Sequence, residues 1–191
     1  MIKKTLLLST LVLTMAGCAT SAQGEDTTST TNESQKETPV ITLSDVEEAQ
    51  QEWAENIIAI GEASLESDEK AEEKALETLE NLYAYDDGQV LFKPTKAAEV
   101  PFRGTKDEAL SYFVGGDIAE DGGFALEPWT DIRFDNHDTI LNGDTAISSG
   151  VYYFTSGETN EEVKVEYTFG YIMDEDGDLK IQLHHSSVPF G

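Results

Sequence analysis

Glu161-Glu162-Val163-Lys164-Val165-Glu166-Tyr167-Thr168-Phe169-Gly170-Tyr171-Ile172-Met173 is the stretch on which the fold turns. Val163, Val165, Tyr167, Phe169, Tyr171 and Met173 fall on one side of an extended chain, and Lys164, Glu166 and Thr168 on the other. That period of two is the mark of a strand with one buried face. The same period runs outward through Trp129 to His137, Thr145 to Thr155 and Leu179 to Ser187. The turns between these stretches are short and rich in Asn, Asp and Gly, which predicts consecutive antiparallel hairpins. Upstream the period becomes helical. Ser44 and Glu47 read as a capping box before Val46, Ala49, Trp53, Ile57 and Ile60, and a second helix runs from Asp68 to Tyr83. Gln89 to Lys93 reads as a short strand closed by Pro94. Thr105 and Glu108 read as another capping box, before Ala109, Leu110, Tyr112 and Phe113. Helices followed by a strand meander define an α+β fold. A helix lying in a curved antiparallel sheet leaves an open end that can hold a pocket.

Composition limits function. The 191 residues carry 12 Lys and Arg against 38 Asp and Glu, a net charge of −26. Such a chain repels nucleic-acid phosphates, so no nucleic-acid partner is expected. With 39% hydrophobic residues, part of it must pack into a globule. A single cysteine allows no internal disulfide and no cysteine-built zinc site, and neither metal nor cofactor is expected.

That cysteine, Cys18, has a particular setting. Lys3 and Lys4 precede the apolar run Leu6 to Leu13, which ends in Met15-Ala16-Gly17-Cys18. A basic start, a short apolar stretch and small residues make a secretion signal, too short for a permanent span. The ending resembles the lipobox of bacterial lipoproteins. The resemblance implies cleavage after residue 17 and lipid on Cys18. Ala19 after the cysteine implies an outer-membrane anchor facing the periplasm. Residues 18–39, rich in Ser and Thr and poor in large apolar groups, read as a tether. Residues 40–191 form the folded domain. Loss of Lys3 and Lys4 with the signal takes the charge from −26 to −28.

Leu82-Tyr83-Ala84-Tyr85-Asp86-Asp87 with Val90-Leu91-Phe92-Lys93-Pro94, Phe102 to Ala109, and Leu183-His184-His185-Ser186-Ser187-Val188-Pro189 together resemble the cystatin-like cone of the nuclear transport factor 2-like superfamily. The last of these is similar to the terminal strand of the association domain of calcium/calmodulin-dependent protein kinase II and its stand-alone bacterial relatives. The resemblance implies a homo-oligomer, a dimer or a larger ring, and a pocket for a small ligand. The kinase domain's pocket has an Arg on the penultimate strand. Tyr167 to Tyr171 supplies none here.

The chemistry legible along the chain is sparse. His185, in phase with Leu179, Ile181 and Leu183, is expected to point inward and could act as a general base, while His184 is expected to face outward. Arg103 is a candidate anion clamp. Trp53, Tyr112, Tyr153 and Tyr167 are candidate pocket walls with polar tips. Asp174 to Asp178 reads as a turn, since its glycine is misplaced for a calcium loop. Two readings follow. The favoured one is a lipid-anchored, self-associating module without catalysis, associating through an outer sheet face that carries Val151 and Ile172. The alternative is a small-molecule enzyme of isomerase, dehydratase or cyclase type with His185 as base.

Overall fold

The computed structural model describes residues 40–191. The signal, Cys18 and the tether lie outside the described residues. Helices α1 (Leu43–Ser64) and α2 (Asp68–Leu82) are followed by strand β1 (Leu91–Lys93) and helix α3 (Lys106–Val114). A short 3-10 turn, η1 (Phe124–Leu126), leads into strands β2 (Trp129–Asn142), β3 (Thr145–Ser156), β4 (Glu162–Met173) and β5 (Leu179–Ser187). The sheet order is β1-β5-β4-β3-β2. The three hairpin pairs are antiparallel, and β1 joins β5 in parallel. The expected α+β cone is therefore present, with helices packed on a curved antiparallel sheet.

Local chemistry sets the boundaries. The first helix begins one residue before Ser44, because Thr42 and Asp45 rather than Ser44 and Glu47 make the reciprocal capping bonds. Ser67 caps α2 through Lys70 N–H, and Thr105 with Glu108 caps α3 as expected. The inner face of the sheet is aromatic. Trp53 of α1 sits in its centre, with ring centroids 5.9 Å from Phe134, 5.8 Å from Tyr152 and 5.6 Å from Phe169. Edge-to-face pairs of this kind add to the stabilisation from burial alone.

Of three register shifts in the sheet, two bear on the site. In β2 the register shifts between Asn136 and Asp138. Gly150 faces that kink, where a Cβ would lie 2.3 Å from the Asp135 carbonyl oxygen. In β5, Tyr171 pairs with Ile181 but Gly170 pairs with Leu183, so Gln182 is the extra residue. A one-residue insertion flips every later side chain to the opposite face.

The α1 end of the cone is closed by a paired polar network. Gln50 Nε2 donates to Ser148 Oγ at 3.2 Å and Tyr167 Oη at 3.1 Å, and Asn136 Nδ2 donates to Gln50 Oε1 at 2.9 Å. Tyr167 thus fastens α1 to the sheet through its phenol.

Candidate functional site

The bulge at Gln182 decides which residues of β5 reach the interior. Beyond it, His184 is 3% exposed and Ser186 is 2% exposed. His185 turns outward and is exposed. The expected facing of the two histidines is reversed, because the alternation counted from Leu179 does not survive the inserted residue.

His184 is held on all sides. Its ring stacks on Phe92 with centroids 4.5 Å apart and meets Phe169 edge-on at 4.2 Å. Trp53 Nε1 donates to Tyr83 Oη at 3.0 Å, and Tyr83 Oη lies 2.8 Å from His184 Nδ1. Trp53 can only donate, so the Tyr83 hydrogen is available to His184 Nδ1. Nε2 has no partner among the described residues. Burial holds the His184 pKa well below the ordinary histidine value, with His185 nearby adding to the effect.

Ser186, two residues on, belongs to a group of uncharged hydroxyls. Thr95 Oγ1 donates to Ser186 Oγ at 2.8 Å, which leaves the Ser186 hydrogen free to donate onward. Lys93 Nζ donates to the Ser186 carbonyl at 3.1 Å and fixes the strand there. Burial pushes the Tyr152 phenol pKa up, and the Ser186 and Thr95 hydroxyls, within bonding reach of it, oppose the shift. Tyr112 of α3 accepts from Lys96 N–H at 3.4 Å. Burial raises its pKa too, and the hydrogen bond from Lys96 opposes that shift. Both phenols are therefore protonated donors at neutral pH.

Of these hydroxyl groups, the Tyr112 phenol lines a cavity of 180 Å³, with Lys96, Asp121, Gly123, Phe124 and Glu127, together with Glu120 and Gly122. Phe124 stacks on Tyr112 at 5.4 Å. Gly123 has φ +79°, and a Cβ there would meet Leu126 Cδ1 at 2.6 Å, so glycine keeps this wall thin. A larger concavity, 680 Å³, is an open groove on the outer sheet face that includes His137, Glu166, Thr168 and His185. The smaller one is walled by the buried Tyr112 phenol and by Lys96, which directly follows Thr95, and that makes it the stronger candidate. Among the described residues no group of three or more His, Cys, Asp or Glu side chains could hold a metal ion.

The other expected site residues are scattered. Tyr112 lines the cavity as expected. Trp53 is core, with its indole nitrogen already bonded to Tyr83. Tyr153 is on the outer face, beneath the Arg133 guanidinium at 4.2 Å. Arg103 is wholly buried in an ion pair with Asp121, with Nε bonding Asp121 Oδ2 at 3.2 Å and Nη1 donating to the Phe102 carbonyl at 3.1 Å and to that of Val100. Its donors are occupied, so it is not a free anion clamp. Thr95, Tyr152 and Ser186 were not anticipated. Hydroxyls carry no spacing motif, and only the alternation Ala146, Ser148, Tyr152, Phe154 could have placed Tyr152 inside.

An α+β cone with a small cavity walled by the Tyr112 phenol and by charged side chains describes a class of small-molecule binding and catalytic domains. Residues 44–188 match the family "metal-independent carbonic anhydrase". A protein of that name from Nostoc sp. strain PCC 7120 is 39% identical over 155 residues, covering 78% of this chain and 75% of the relative. The crystal structure of an iota-carbonic anhydrase from a cyanobacterium, complexed with bicarbonate, superimposes with a TM-score of 0.76 at 36% identity, covering 80% of this chain and 94% of that one. A nuclear transport factor 2-like protein from Streptomyces avermitilis gives a TM-score of 0.49 at 19% identity, covering 78% and 96%. The chain belongs to the metal-independent carbonic anhydrase family. The expectation of a non-catalytic association module is overturned, since the relatives are enzymes; the alternative reading of a small-molecule enzyme is closer, although the relatives are carbonic anhydrases and not isomerases, dehydratases or cyclases. The likeness to the kinase association domain is not shown.

Proposed function

We propose that this chain catalyses the reversible hydration of carbon dioxide to bicarbonate in the cavity beside Ser186. The family match over residues 44–188 carries this reading. The site supports it chemically. As water oxygen bonds to the carbon, negative charge grows on the two original oxygens. Donors aimed at that charge from a site shielded from water lower the barrier. Ser186, Tyr152 and Tyr112 are such donors; Thr95 spends its hydrogen on Ser186 and so frees that of Ser186, and the two phenols stay protonated to donate. The proton of the attacking water leaves through the open mouth to solvent. Neutral donors hold an anion less tightly than a buried cation would, which favours release of bicarbonate.

The test is stopped-flow carbon dioxide hydration by the full chain and its Ser186→Ala variant. Removing one such donor is expected to lower kcat/KM by about 10²-fold, with the melting temperature changed by only a few degrees. Unchanged hydration in the variant would remove Ser186 from the site.

A further inference from the structure

Bicarbonate is an anion, yet the cavity that would hold it is lined by three acids: Glu120, Asp121 and Glu127. Two of these have lasting partners. Asp121 is paired with buried Arg103. Glu120 accepts backbone N–H groups from Ala98 at 2.9 Å, Glu99 at 3.0 Å and Val100 at 2.7 Å. The third, Glu127, is held only by Lys96, Nζ to Oε1 at 3.4 Å, with the two side chains 58% and 48% exposed. An ion pair this exposed is weak and breaks readily. Lys96 is also the single cation among the described residues lining the cavity. It directly follows Thr95, and its own amide bonds Tyr112. Its backbone is thereby fixed to the hydroxyl cluster while its ammonium group remains at the mouth.

We infer that Lys96 is a specificity-determining residue whose ammonium exchanges Glu127 for bicarbonate, recruiting the anion to the cavity and returning to the glutamate as it leaves. The inference rests on the proposed carbonic anhydrase reading. Two neighbouring carboxylates are locked by other partners, so the Lys96 charge is divided between Glu127 and the anion alone. Removing the lysine and removing its competitor should therefore act in opposite directions. A purely structural ion pair would make both changes act alike.

The experiment compares wild type, Lys96→Gln and Glu127→Gln in the full chain, with bicarbonate dehydration kinetics and direct titration of bicarbonate by calorimetry. Lys96→Gln should raise the bicarbonate KM and Kd about tenfold, the scale of one charge-assisted hydrogen bond. Glu127→Gln should lower both about two- to threefold, since a surface pair competes only weakly. Raising salt should shrink both effects. The kcat/KM values for hydration and dehydration must change by the same factor in each variant, because their ratio is the solution equilibrium. Shifts of the same sign in the two variants, or none, would overturn the role of Lys96 while wild-type hydration still stands. Absence of hydration in the wild type would instead overturn the parent reading, and bicarbonate titration would still show whether the lysine binds the anion.

Discussion

At the residue scale, burial holds the His184 pKa well below the ordinary histidine value. The ring is buried and neutral, with one ring nitrogen on Tyr83 and the other unpaired among the described residues. Its folded pKa lies below the unfolded value, which is about 6.5. Its contribution to stability is therefore complete above about pH 6.5. It declines as the pH falls toward the folded value, because only the unfolded chain takes up the proton there. The slope approaches about 1.4 kcal/mol per pH unit for one proton. Urea unfolding between pH 7.5 and 5 should show that decline, and His184→Phe should flatten it. An unchanged slope in the variant would trace the decline to other groups. The phenols of Tyr112 and Tyr152 carry the opposite shift. The hydration profile should have no alkaline limb from either of them below about pH 10, the ordinary phenol value. These residues were also the hardest to foresee. A histidine is conspicuous in a sequence, but whether it faces in or out depended on one inserted residue, Gln182. Serine and threonine hydroxyls signal nothing until the chain brings them together.

At the element scale, the alternation along Glu162–Met173 and the capping box at Thr105 were legible because they rest on local physics: the period of a pleated chain and the unpaired amides of a helix start. The bulges were not. They are set by how neighbouring strands meet, as where Gly150 lies against the kink after Asn136. A Gly150→Ala substitution forces a methyl group to within 2.3 Å of the Asp135 carbonyl unless the strands part. We expect it to destabilise the fold by about 1–3 kcal/mol, the range for overpacking, measured as a lower midpoint in urea. A neutral result would mean that the strand pair yields locally at no cost. The parallel pairing of β1 with β5 was also beyond sequence reading, yet it sets Phe92 opposite His184 in register, with Lys93 opposite His185.

At the scale of the whole molecule, the α+β cone followed from the order of helices and strands, whereas the activity did not. The search for function looked for charged or nucleophilic side chains, and the conspicuous ones proved to be structural or external: Arg103 in its ion pair, Trp53 in the core, Tyr167 in the Gln50 network, His185 on the outer face. What the proposed site uses is a set of neutral hydroxyls and one exposed lysine, which suits a triatomic substrate and a small anion. The most direct test is carbon dioxide hydration by the purified full chain after exhaustive treatment with a strong chelator, with residual metal quantified by mass spectrometry. Hydration well above the buffer rate, undiminished by chelation and unaltered by added zinc, is the predicted result. A rate no greater than buffer, or one that disappears with the metal, would contradict the account.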